Sequence, residues 1–163
     1  MYIPWHKRLL TVEDTAELQV YHDHWLRMET RRERPDGTPE VDMNDCLKSS
    51  LRMRPDRIIV GEVRSSEAAT LLTAMNTGHD GSFGSLHANT AMETITRMIN
   101  PPMNVPPIML TGLDLIIIQA RLHVNGKTAR KITEVAEVAG MEGDKPRLNA
   151  CLLYTSPSPR DIS

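Results

Sequence analysis

Apolar residues fall along the chain in short runs, each closed by charged or turn-forming residues. The first, Arg8-Leu9-Leu10-Thr11-Val12, stops at Glu13 and Asp14. This predicts a buried strand with two acids at its carboxyl end. His24 to Thr30 alternates apolar and polar residues, a second extended segment, and the charged, Pro- and Gly-containing stretch from Arg31 to Glu40 reads as an exposed loop. From Val41 to Met53, the spacing of Val41, Cys46, Leu47 and Leu51, with Asp42 and Asp45 near the start, predicts a short helix that Pro55 forbids to continue. Arg57 to Val63 carries three consecutive branched residues, Ile58, Ile59 and Val60, as in a parallel strand covered on both faces, and it too ends at a carboxylate, Glu62.

A helix follows through Ala68, Leu71, Leu72 and Met75, with Ser65 or Ser66 as its cap and Asn76-Thr77-Gly78 as its stop. Ser82 to Leu86 is a third strand leading to His87, and a helix through Met92, Ile95, Met98 and Ile99 must end before Pro101. The last third offers Leu113 to Val124 as a strand, Asn125-Gly126 as a hairpin turn and Lys131 to Val138 as the returning strand of an antiparallel edge. Alternating strands and helices define the fold class as α/β, in which ligands sit beyond the carboxyl ends of the strands. Three such ends carry Glu13-Asp14, Glu62 and His87.

Composition narrows the classes. The 163 residues, 40% apolar and 25% charged, suffice for one core. Residues 1–150 form that domain, whereas Cys151 to Ser163 have no periodicity that could add to a core and read as a non-native tail. With 19 Lys plus Arg against 21 Asp plus Glu, a nucleic-acid module driven by net positive charge is disfavoured. Two distant cysteines, Cys46 and Cys151, form neither a disulfide framework nor a metal knuckle, and the most apolar stretch, Leu113 to Ala120, is too short to cross a bilayer. A cytoplasmic location is expected.

A carboxylate at the end of an apolar strand suits phosphoryl transfer, because Mg²⁺ takes oxygen ligands and keeps water between itself and the protein. Glu62 is the best single candidate, and Glu13 on a neighbouring strand could orient or deprotonate an attacking water. His79 and His87 bracket a strand and could donate to phosphate oxygens. Two other classes stay open on the residues alone. One is a metal-dependent hydrolase using His79, Asp80, His87 and a carboxylate; the other is a non-catalytic interaction module with a methionine-rich partner surface at Met92 to Met98 and Met103 to Met109.

Three ordered segments carry a resemblance: TVEDTAEL from Thr11 to Leu18, LRMRPDRIIVGEVR from Leu51 to Arg64, and TGHDGSFGSLHANT from Thr77 to Thr90. They resemble the Asp box, Walker B and His box of the type II/IV secretion ATPases, RecA-like hexameric motors. The segment PPMNVP from Pro101, with LDLIIIQARL and EVAEVAGMEGD, looks closest to the archaeal branch that drives archaella and related pili, with a bacterial tight-adherence pilus motor as the nearest rival.

The resemblance implies an ATPase powering pilus-like filaments, archaella or type II/IV secretion, with ATP and Mg²⁺ as cofactors. It also implies a homohexamer working on a polytopic membrane platform protein from the cytoplasmic face. It matches Glu13 to the acid near the attacking water, Glu62 to the Walker B glutamate (a metal residue, through water), and His79 and His87 to the His-box pair. Arg27 and Arg31 match the family's ATP-site arginines. One departure is plain: the GxxxxGK[ST] loop is absent, and no glycine occurs before Gly37. The chain therefore resembles the carboxyl-terminal portion of the motor domain, and without that loop it is not expected to hydrolyse ATP by itself.

Overall fold

A computed structural model of the chain describes residues 3–124 and 127–153. In chain order its elements are β1 (Leu9–Glu13), β2 (Trp25–Glu29), α1 (Met43–Leu51), β3 (Arg57–Val60), α2 (Glu67–Asn76), β4 (Phe83–Gly84), α3 (Ala91–Ile99), a 3-10 turn over Pro107–Gly112, and then β5 (Leu115–Val124), β6 (Lys127–Glu142) and β7 (Lys145–Leu153). The first four strands form a parallel sheet in the order β2-β1-β3-β4, and the last three a separate antiparallel sheet. The α/β reading from the sequence holds. The antiparallel pair, expected as an edge, instead belongs to a separate three-stranded sheet.

Burial explains the division of labour within the parallel sheet. β1 lies between two neighbours and all five of its residues are buried, which is why it reads as an unbroken apolar run. β2 is the outer strand, with Leu26 and Arg27 exposed, and its Trp25 indole donates to the buried hydroxyl of Thr11 at 3.0 Å. That bond satisfies a polar group that would otherwise be costly inside. Helices α1 and α2 are joined by Thr70 donating to Asn44 at 2.7 Å, and Leu47, Leu71 and Leu72 cover β1 and β3.

Local chemistry moves several boundaries. α1 begins at a capping box in which Asp42 accepts from the Asp45 amide, and the Asp45 carboxylate accepts in return from the Asp42 amide. α2 is not capped by Ser65 or Ser66. Instead the buried Glu67 carboxylate accepts from the Arg64 amide at 2.5 Å and the Ser65 amide at 2.7 Å. The carboxylate closes the turn that leads into the helix and lies at the helix's positive end. The strand expected over Ser82 to Leu86 shrinks to β4 because Ser82 leaves the ladder. Its hydroxyl donates to His79 O at 2.7 Å and accepts from the Ile58 amide at 3.0 Å, replacing backbone by side chain. Gly84 is required by packing, since a Cβ would lie 3.0 Å from both Leu71 Cδ2 and Val63 Cγ2.

The antiparallel sheet joins the same core: Ile116, Ile118, Ala136 and Val138 belong to one buried cluster with Met98, Met103 and Leu110. Its third strand, β7, was not expected. It continues past the predicted domain limit at residue 150, pairing Leu152 with Val135 and Leu153 with Glu134, while Cys151, Leu152 and Leu153 stay exposed. The Asn125-Gly126 turn and residues 154–163 of the tail lie outside the described residues.

Candidate functional site

Parallel register brings two strand exits level. Val12 lies opposite Val60, and the Gly61 amide donates to Val12 O at 2.8 Å. Glu13, the last residue of β1, is 3% exposed. Its Oε1 accepts from the Glu17 and Leu18 amides at 3.0 and 2.9 Å, folding the chain after β1 back over the sheet. Its Oε2 is buried with no hydrogen-bond partner, and the nearest cation, Arg27 Nε, stands 3.7 Å away. A buried carboxylate oxygen left without a donor is expensive. Gly61 makes the room: a Cβ there would sit 3.1 Å from Glu13 Cγ.

Beyond the end of β3, Glu62 is engaged at both oxygens, Oε1 with His87 Nε2 at 3.2 Å and Oε2 with the Arg64 guanidinium. The Arg64 hydrogen bond holds the Glu62 carboxyl below its ordinary value; burial opposes it, and Arg64's charge and then the His87 ring add to the lowering. Arg64 also reaches Asp14 Oδ2 at 3.3 Å, so it spans the exits of β1 and β3. Between them lies an open cavity of about 340 Å³ whose charged lining is Glu13, Asp14, Glu17, Glu62, Arg32 and Arg64. Four oxygen-bearing acids, one with an unused buried oxygen, fit a hydrated divalent cation and an ordered water. When bound, such a cation would supply charge stabilisation at a phosphoryl group.

The family model for type II/IV secretion system proteins matches residues 2–149. The chain belongs to this family. Among curated relatives it is 36% identical over 154 residues to a protein of Methanocaldococcus jannaschii, a match covering 94% of this chain and 56% of that protein. It is 38% identical over 138 residues to the conjugal transfer protein TrbB of Rhizobium radiobacter, covering 82% and 39%. The chain thus spans about half the length, or less, of these relatives. Among solved structures, the VirB11 ATPase of the Brucella suis type IV secretion system superposes with a TM-score of 0.66 at 29% identity, covering 83% of this chain and 41% of that one. The fold is accordingly part of a secretion-ATPase domain.

On this secretion-ATPase frame, Glu13, Glu62, His87 and Arg27 come together at one end of the parallel sheet. Arg27 is half-committed to structure: it donates to Leu18 O and lies over the Trp25 ring at 4.5 Å. Arg31 is not brought to the cavity. Its guanidinium donates to Pro39 O at 3.1 Å beside a backbone bridge to Val41, and the neighbouring Arg32 lines the cavity instead. His79 is also elsewhere, in the turn after α2, where its Nδ1 pairs with Ala74 O at 3.2 Å, at the opposite end of β4 from His87.

The hydrolase constellation of His79, Asp80 and His87 is therefore not assembled, and among the described residues no three His, Cys, Asp or Glu side chains are placed to hold a metal by themselves. Arg64 and Arg32 were missed as site residues. The signal for Arg64 was its position two residues beyond Glu62, within reach of that carboxylate. Among the described residues no helix is long and apolar enough to cross a membrane.

Proposed function

We propose that the protein to which this chain belongs is an ATPase motor that hydrolyses Mg-ATP to drive secretion or the assembly of pilus-like filaments, archaella included. It works as a homohexamer against a polytopic membrane platform, on the cytoplasmic face and without nucleic acid. The family match over residues 2–149 and the likeness to the VirB11 ATPase support a motor of this class. The observation that carries the reading is the pair of carboxylates at adjacent strand exits: Glu13 buried with a free oxygen, and Glu62 held anionic beside it.

Their roles differ. Glu62 faces the cation, through water, while Glu13 orients the attacking water and takes its proton, which its unpartnered Oε2 is free to do. His87, held on Glu62, stands where it can reach a phosphate oxygen. The phosphate grip comes from a Gly-rich loop, which this chain lacks. In a protein that joins this chain to such a loop, Glu62→Gln should keep nucleotide binding and lower turnover by roughly two orders of magnitude. Glu13→Gln should do the same. Unchanged steady-state hydrolysis in both variants, measured on hexameric protein, would refute the site.

A further inference from the structure

We infer that Arg64 is the built-in counter-ion of this site: its guanidinium holds the place between Asp14 and Glu62 that a divalent cation takes, and cation entry releases it. The inference rests on the proposed reading of Glu62 as the cation-facing acid, and it adds a competitor for that acid within the chain.

The placement is specific. Asp14 follows β1 and Glu62 follows β3, and one guanidinium satisfies both, Asp14 Oδ2 at 3.3 Å and Glu62 Oε2 more closely. The two terminal nitrogens of the planar fork meet one carboxylate each, Nη1 that of Asp14 and Nη2 that of Glu62. The arrangement is also releasable. The Arg64 side chain is 62% exposed, so the ion pairs are of the weak, solvent-screened kind and no buried group is stranded when it swings out. Its backbone meanwhile stays fixed, because the buried Glu67 accepts the Arg64 amide at 2.5 Å. Release is thus a side-chain event that leaves the sheet exits in place.

What remains afterwards favours a divalent cation. Without Arg64, Glu13 keeps only Arg27 at 3.7 Å and Glu62 only His87 at 3.2 Å, Asp14 loses its ion pair, and Arg32 is the remaining basic residue of the cavity lining. The buried Glu13 Oε2 still lacks a donor. A cation arriving with its water shell answers both deficits, supplying charge to Asp14 and Glu62 and a water hydrogen to Glu13.

Mn²⁺ is the probe, titrated alone against the whole chain and followed by the electron paramagnetic resonance of the free ion, with circular dichroism confirming that each variant is folded. Arg64→Gln should tighten Mn²⁺ binding by at least about fivefold, since one positive charge near the ion is removed. The gain should vanish in Arg64→Gln combined with Glu62→Gln. Equal or weaker Mn²⁺ binding by folded Arg64→Gln overturns the inference. Should that variant fail to fold, Arg64→Lys decides: an intermediate gain supports the counter-ion, and parent-like or weaker affinity overturns it. The two readings fail differently. If Glu62→Gln alone binds Mn²⁺ like the parent, the assignment of Glu62 falls; if Glu62→Gln weakens binding while Arg64→Gln does not tighten it, only the role of Arg64 falls.

Discussion

The two ends of the parallel sheet treat polar groups in opposite ways. At the amino end, near the start of β3, Asp56 accepts from the Arg8 amide at 2.7 Å and from Lys7 Nζ at 2.9 Å, Ser82 bridges His79 O and the Ile58 amide, and the His79 ring closes on Ala74 O. Apart from the Lys7 contact, each of these bonds has a backbone group as one partner. At the carboxyl end, Glu62, Arg64, Asp14 and His87 pair with one another across separate elements, and Glu13 keeps a buried oxygen without a donor. Groups satisfied by backbone have nothing left to offer a ligand. Groups satisfied by exchangeable side chains do, and an unsatisfied one is the signature of a site held ready at some cost in stability.

The largest expected contrast is in turnover. Beside the roughly hundredfold losses expected of Glu62→Gln and Glu13→Gln, Asp56→Asn at the other end should leave ATP hydrolysis of the motor within about twofold of the parent. A loss at Asp56 comparable to that at Glu62 would erase the distinction between the ends.

A pair of glycine substitutions sharpens the same comparison. Gly61→Ala places a Cβ 3.1 Å from Glu13 Cγ, so the acid must shift by a few tenths of an ångström. Displacement on that scale at a reacting centre should lower turnover about tenfold, with little change in the urea midpoint. Gly81→Ala is the mirror case. Gly81 has φ of +76° and a Cβ there would lie 3.0 Å from the Arg57 guanidinium. It should destabilise by about 1 kcal/mol in urea unfolding and leave turnover nearly untouched. Finding the two effects exchanged would show that the amino end, not the carboxyl end, carries the chemistry.

Much of this was legible from residue order because buried parallel strands write their exits plainly. Val12 to Glu13 and Val60 to Glu62 mark the points where an apolar run gives way to acid, and their common level follows from parallel pairing. What stayed hidden depends on contacts distant in sequence. His79 and His87 are eight positions apart and look equivalent, yet β4 separates them to opposite ends, and only the Ser82 detour shows how short that strand is. Arg31 and Arg32 are adjacent, and the bridge to Val41 decides which one turns to the cavity. β7 was invisible because its residues are mostly exposed and its partner, the long β6, supplies the order.

The smallest effect is a pH dependence that belongs to the amino end. The Arg8 amide, and then Lys7, hold the Asp56 carboxyl below its ordinary value. A carboxyl lowered in the folded state binds its proton more readily when unfolded, so its contribution is fully present above the ordinary carboxylate value near about 3.9 and is lost as pH falls through the folded value. Asp56→Asn removes that contribution at neutral pH and has none to lose in acid. Its urea midpoint should therefore start below the parent's at pH 7 and decline less steeply between about pH 5 and about pH 3, the two curves converging at the acid end. Parallel curves would mean that the Lys7 and Arg8 bonds to Asp56 do not persist in solution, and the amino end would then be no better satisfied than the site across the sheet.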